Sequence, residues 1–188
     1  YVGSFYPQVA PERISECPYV ESRHLADEGA RALASSEFSV CSVNAPYVLG
    51  ALPGLEIEHL SVMVAYARGQ LENLPLFAPP GGTNHLSVKS LSQALIGALA
   101  KGESGKAYLV GDENYSWKDY LELWCSLAGN PMDLEVRTED HPLLPNVIMF
   151  AGVGATVSYE PDPDESILLN YSRSQIKDTI SEVIDVYG

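Results

Sequence analysis

The feature that most constrains this chain is an alternation in its hydrophobic pattern. Short β-branched runs trade places with stretches whose apolar residues return every three or four positions. A period of two builds strands and a period of 3.6 builds helices. Their alternation indicates an α/β architecture, with strands joined through helices that cover the sheet.

Read along the chain, Val20 to about Ala34 is Ala-rich and helical, and Phe38–Val43 reads as a buried strand with apolar residues on both faces. Pro46, Gly50, Pro53 and Gly54 mark 45–54 as a loop. Ile57, Leu60, Val64 and Ala67 recur at helical spacing, and Leu76–Thr83 is a Pro/Gly loop. Asn84–Val88 reads as a short strand, and Leu91, Leu95 and Leu99 mark a helix ending near Gly102. Ala107–Val110 is the next strand. Ser116, three residues before Asp119, starts a helix whose apolar face is Trp117, Tyr120, Leu121, Trp124 and Leu127, with Gly129 as its stop. Leu134–Arg137 reads as a strand, 138–169 shows little periodicity, and Ile176, Ile180, Val183, Ile184 and Tyr187 form a terminal helix.

Composition narrows the partners. The chain carries 11 Lys+Arg against 25 Asp+Glu in 188 residues, a formal charge of −14. Nucleic-acid backbones and anionic membranes are bound by clustered cations, so neither is expected. Val147–Val157, the longest greasy stretch, is broken by Gly152 and Gly154 and is too short to span a bilayer. The first residues show no signal-peptide pattern. Three scattered cysteines and four scattered histidines give no metal-ligand spacing and no disulfide framework. A reduced, cytoplasmic setting is the expectation, with no metal.

Chemistry is most legible at Tyr19-Val20-Glu21-Ser22-Arg23. Tyr19 and Arg23 lie four apart, on one face of the helix. A phenol titrates near ~10 unperturbed, and a fixed cation beside it favours the phenolate. Such a pair is a usable acid/base. Ser4, upstream, can hydrogen-bond a substrate oxygen.

These residues sit in a wider pattern. Val2-Gly3-Ser4 is followed by Tyr19-Val20-Glu21-Ser22-Arg23, then by Val40-Cys41-Ser42-Val43-Asn44-Ala45-Pro46-Tyr47-Val48-Leu49-Gly50. Gly81–Val88, Ala107–Ser116 and Leu169-Asn170-Tyr171 follow in order. The whole resembles the C-terminal portion of an extended short-chain dehydrogenase/reductase, the NAD-dependent epimerase/dehydratase superfamily. That family shows a Ser after a strand, then YxxxK, then a strand ending in a Pro-containing loop.

The resemblance implies a partial Rossmann-like, doubly wound domain with a C-terminal substrate-binding part. Residues 1–50 would be the remainder of the dinucleotide-binding domain. Residues 51–188 would be mainly the substrate-binding part, with segments returning to the sheet. It further implies an NAD(P)-dependent oxidoreductase or epimerase/dehydratase acting on a carbonyl or hydroxyl of a small molecule. Tyr19 would be the acid/base, Ser4 would polarise the substrate oxygen, and Arg23 would hold the nicotinamide ribose. Pro46 and Leu49 would line the nicotinamide. A small-molecule substrate and a possible homodimer complete the implied partners.

Two departures bear on activity. The family's Lys is Arg23 here, whose planar fork keeps the charge without the compact ammonium. That change also fits the superfamily's atypical branch, whose members bind dinucleotide as regulatory or sensor proteins without catalysis. The second departure is the lack of a glycine-rich GxxGxxG turn, the element that holds the pyrophosphate on backbone N–H groups. A stand-alone interaction domain without cofactor is the remaining alternative. Because the contacts implied here touch only the nicotinamide end, residues 1–188 alone are expected to bind NAD(P) weakly. A fluorescence titration of the purified chain with NADH and NADPH checks this. Micromolar binding of either would reveal a phosphate-binding element outside the glycine-rich pattern.

Overall fold

A computed structural model describes residues 1–188. Six strands form two three-stranded sheets. The first contains β1 (Val2–Ser4), β2 (Ser42–Ala45) and β5 (Ala107–Leu109), in the order β1-β2-β5 and all parallel. The second contains β3 (Tyr47–Leu49), β4 (Gly82–Ser87) and β6 (Glu113–Ser116), in the order β3-β4-β6. There β3 and β4 run parallel, and β4 and β6 antiparallel. β5 is the segment that returns from the second half of the chain to complete the first sheet.

Seven α-helices connect and cover the sheets: α1 (Tyr6–Val9), α2 (Pro18–Arg31), α3 (Glu58–Ala67), α4 (Val88–Lys101), α5 (Trp117–Leu127), α6 (Pro163–Leu169) and α7 (Ile176–Tyr187). Their ends follow local chemistry. Pro18 occupies the first turn of α2, where its missing N–H costs nothing. Ser87 accepts from Ser90 N at 2.9 Å, and Ser116 accepts from Asp119 N at 3.0 Å, capping α4 and α5. Asp162 caps α6, and Asn170 ends it in the left-handed conformation at φ 54°. At the start of α7 the caps come from far away. The Asp112 carboxylate accepts from Ser174 N and Gln175 N, and Glu113 accepts from Ile176 N. The turn between β5 and β6 thereby fixes the last helix.

Strand β2 shows how the first sheet is wound on both faces. Val43 and Ala45 pack into a cluster with Ala94 and Ala98 of α4. The alternate residues Ser42 and Asn44 face α2, where Asn44 Nδ2 lies 3.4 Å from Asp27 Oδ1. Gly3 on β1 leaves room for this, since a Cβ there would stand 2.0 Å from Asn44 Oδ1. On the α4 side, Gly97 lets α6 approach closely, because a Cβ would meet Leu169 O at 2.0 Å. The largest apolar cluster lies with the second sheet, where Leu49, Leu60, Val64, Leu121, Trp124, Ile180 and Val183 pack together.

Several sequence expectations are corrected. The strand read at Phe38–Val43 begins at Ser42. Phe38 is 54% exposed, and the α2-facing side of β2 is polar rather than apolar. The supposed loop at 45–54 contains β3, entered immediately after Pro46. The strand read at Asn84–Val88 spans Gly82–Ser87, and Val88 already belongs to α4. Leu134–Arg137 contributes a single bridge, Val136 to Ala78. The aperiodic stretch 138–169 holds α6. No helix is long and apolar enough to cross a membrane.

Two histidines are built into this frame uncharged. His141 Nδ1 accepts from Leu143 N and Leu144 N, which leaves Nε2–H to donate to Phe77 O at 3.1 Å. His85 Nδ1 lies 3.0 Å from Thr83 O, and burial pushes its imidazole down to about 3. Folded His85 therefore stays neutral well below pH 6, whereas the unfolded chain takes up that proton near ~6.5. Below pH 6.5 the unfolded state binds more protons, so stability falls with acidification until about pH 3. Burial lowers His141 as well and adds to the same loss. We expect the midpoint of urea unfolding to drop between pH 7 and pH 4.5, and His85→Asn to make that drop shallower. Equal slopes in the two proteins would show that His85 titrates alike folded and unfolded.

Candidate active site

β1 and β2 end side by side, with Ser4 opposite Ala45. Phe5 N extends the ladder by one bond to Ala45 O at 3.0 Å. Beyond these C-terminal ends lies a cavity of about 360 Å³, lined by Val2, Gly3, Ser4, Tyr6, Tyr19, Ala45, Pro46, Tyr47, Val48, Leu91, Ile148 and Phe150. In open α/β sheets, ligands bind outside the carboxyl ends of the strands.

Of the five residues singled out from sequence, this cavity gathers three: Ser4, Tyr19 and Pro46. Ser4 is buried, and its Oγ accepts weakly from Tyr6 N at 3.4 Å. Tyr19, in the first turn of α2, is 39% exposed. Arg23 lies one turn further along α2, outside the cavity wall, with its guanidinium carbon 5.7 Å from the centre of the Tyr19 ring. Its Nε is buried without a hydrogen-bond partner. Leu49 points into the core of the second sheet and is 4% exposed.

Sequence reasoning missed the residues that hold Tyr19 in place. Phe150, from the aperiodic stretch, stacks on the Tyr19 ring at 3.8 Å and 15°. It also meets the Tyr6 ring edge-on at 5.5 Å. Arg13 Nε donates to Phe150 O at 3.1 Å and ties this segment to the 3₁₀ turn before α2. Tyr6 hydrogen-bonds Thr83 Oγ1 at 3.1 Å, and burial raises its phenol. Nothing in the local Tyr6-Pro7 sequence signals that the ring turns towards β4.

A second, smaller cavity of about 150 Å³ adjoins the first and shares Tyr47 with it. Its wall is Tyr47, Leu49, His59, Leu60, Met63, Tyr120, Trp124, Pro142 and Leu143. Tyr120 and Trp124 are fully buried here, yet neither the Tyr120 hydroxyl nor Trp124 Nε1 has a hydrogen-bond partner. Each unmet group costs about 1–3 kcal/mol in an interior. The sequence showed these two residues as one apolar helix face, and gave no sign of their unpaired polar atoms.

No protein-family model matches the chain, and no curated protein does. Solved structures do. RMD from Pseudomonas aeruginosa, complexed with NADPH, superposes with a TM-score of 0.68 at 16% identity, over 100% of this chain and 65% of that one. A dTDP-glucose 4,6-dehydratase from Bacillus anthracis in complex with NAD gives 0.65 at 18% identity, over 92% and 52%. A UDP-glucose 4-epimerase from Thermotoga maritima with UDP-glucose gives 0.66 at 12%, over 90% and 53%. The chain thus has the Rossmann-like fold of dehydratase and epimerase enzymes. It spans about half to two thirds of their length.

The Tyr19–Phe150 stack is open to direct measurement. Aromatic pairs contribute ~0.5–1.5 kcal/mol beyond their buried area. A double-mutant cycle of Tyr19→Ala and Phe150→Ala in urea unfolding should return a coupling of about that size. Zero coupling would mean that the two rings do not meet in solution.

Proposed function

We propose that this chain carries the reactive and substrate-binding part of an NAD(P)-dependent oxidoreductase or epimerase/dehydratase acting on a carbonyl or hydroxyl group of a small molecule. The observation that carries the reading is the meeting of Ser4, Tyr19 and Pro46, drawn from three separate segments, around one cavity at the strand ends. The fold shared with enzymes solved with NADPH or NAD supports the same reading.

The residues fit the nicotinamide end of such a cofactor. Gly3, Ala45 and Pro46 offer small, apolar contact surface at the strand ends. Arg23 Nε is a buried donor still without an acceptor, which a ribose hydroxyl would supply. A bound nicotinamide supplies or takes up the hydride at the substrate carbon. Nothing in 1–188 has the glycine-rich pattern that holds a pyrophosphate. On this reading, 1–50 completes the dinucleotide-binding part and 51–188 mainly shapes the substrate side.

In reduction, the Tyr19 hydroxyl gives its proton to the substrate oxygen; in oxidation, the phenolate takes it back. Ser4 Oγ donates a hydrogen bond to the same oxygen and steadies the charge that develops there. Arg23 lies over the Tyr19 ring, its guanidinium carbon 5.7 Å from the ring centre. Phe150 keeps the phenol from swinging away, so that proton transfer starts from one geometry.

A second reading rests on Arg23. With a guanidinium where the family pattern has an ammonium, the site binds dinucleotide as a sensor without turnover. Kinetics separate the two. In a form of the protein that binds NAD(P)H and reduces a carbonyl substrate, Tyr19→Phe should lower kcat by ~10²–10⁴-fold and leave cofactor affinity nearly unchanged. Unchanged turnover would remove Tyr19 from the chemistry and favour the sensor.

A further inference from the structure

We infer that the small cavity behind Tyr47 is a specificity pocket for an uncharged, phenyl-sized substituent bearing a hydrogen-bond acceptor, so that the substrate is an uncharged aryl or similarly apolar carbonyl compound or alcohol rather than a nucleoside diphosphate sugar. This rests on the reading that the substrate reacts in the Ser4–Tyr19 cavity, and extends it to what the rest of the substrate is.

Size comes first. At about 150 Å³ the pocket has the volume at which an apolar protein cavity takes up benzene. Leu60, Met63, Pro142 and Leu143 supply apolar wall, with Met63 adaptable in shape. A diphosphate or a hydrated sugar has no counterpart in such a wall.

Polarity comes second. Trp124 Nε1 is a donor only, and the Tyr120 hydroxyl can donate. Both lie in fully buried side chains of the wall and have no partner in the protein. The hydroxyl of Tyr47 and the indole of Trp124 lie near that of Tyr120, but none completes an aligned bond. A ligand that brings an acceptor oxygen satisfies what the fold leaves open. A hydrocarbon of the same size does not.

Charge comes third. Neither cavity has a Lys, Arg, Asp or Glu in its wall, and the exposed His59 is the sole basic side chain there. An anionic substituent would find no Lys or Arg in either wall to offset its desolvation. Tyr47, common to both walls, places the pocket next to the reacting centre.

Methionine methyl NMR tests this without cofactor or turnover. The chain has three methionines; Met63 lines the pocket and Met132 is 42% exposed. Acetophenone should shift the Met63 methyl saturably and leave Met132 in place. Benzoate should shift neither methyl at the same concentration. Toluene should enter more weakly than acetophenone. Tyr120→Phe removes an oxygen with no protein partner, so the fold should hold. It should cut acetophenone affinity roughly five- to tenfold and leave toluene unaffected. Leu60→Phe, which fills the pocket, should abolish the shift. The inference is overturned by an unmoved Met63, by benzoate binding as well as acetophenone, or by an acetophenone-to-toluene preference that survives Tyr120→Phe. Failure of the Tyr19 reading would show in turnover alone and would leave these methyl shifts as they are.

Discussion

The arrangement depends on one break in a hydrogen-bond ladder. β2 and β3 are separated by a single residue, Pro46, which has no N–H to give. The chain leaves one sheet and enters the other there, without a loop. β5 and β6 make the same passage through Val110–Asp112, and the two crossings are stitched together. Val110 N donates to Asn44 O, and Asp112 N donates to His85 O. Because β2 stops where it does, Ser4 and Ala45 end flush, and the space beyond them becomes a cavity. Because β3 starts at once, Tyr47 stands between that cavity and the next.

A polar network beneath the sheet holds β2 to α2, the helix that carries Tyr19. Burial by itself raises the Asp27 carboxyl; hydrogen bonds from Arg31, Ser42 and Asn44 outweigh it and keep the group below its ordinary value. Arg31 sits four residues on from Asp27, with Nη2 at 2.9 Å. The network thus takes its donors from both α2 and β2, and it fixes the helix in register as well as in place. The same donors explain the misread strand. Ser42 and Asn44 look unfit for a buried strand until Asp27 is known to lie opposite them, and that pairing spans 17 residues. Periodicity sees neighbours along the chain; it cannot see a partner across a layer.

The legible parts of the fold are those in which local chemistry decides. The α5 start was visible in Ser116 and Asp119, its stop in Gly129, and the α7 face in its isoleucines and valines. Ser4, Tyr19 and Pro46 were legible as a set only through the resemblance of the motifs around them to a known family. The other half of each cavity was not. Ile148 and Phe150 in one wall, and Pro142 and Leu143 in the other, come from a stretch with no period of its own. That stretch is placed by distant anchors. His141 takes Leu143 N and Leu144 N on one nitrogen and reaches Phe77 O with the other, while Arg13 holds Phe150 O. A segment whose shape is set by what it touches has no signature until those contacts exist.

This division has a consequence for how such a fold changes its chemistry. The residues to which we assign the proton transfer, Ser4 and Tyr19, are carried on a strand end and a helix start. The residues that line the second cavity sit on β3, α3, α5 and the aperiodic stretch. Exchanging side chains on the second group alters volume and polarity without moving the first. In this chain that second group is largely apolar and has no Lys, Arg, Asp or Glu, with two unpaired buried polar atoms on side chains of its wall. A wall without Lys or Arg offers an anionic substituent no fixed cation to offset its desolvation. On the proposed reading, the choice of a neutral substituent is then made at the second cavity's wall, while the Ser4–Tyr19 arrangement at the strand ends stays the same.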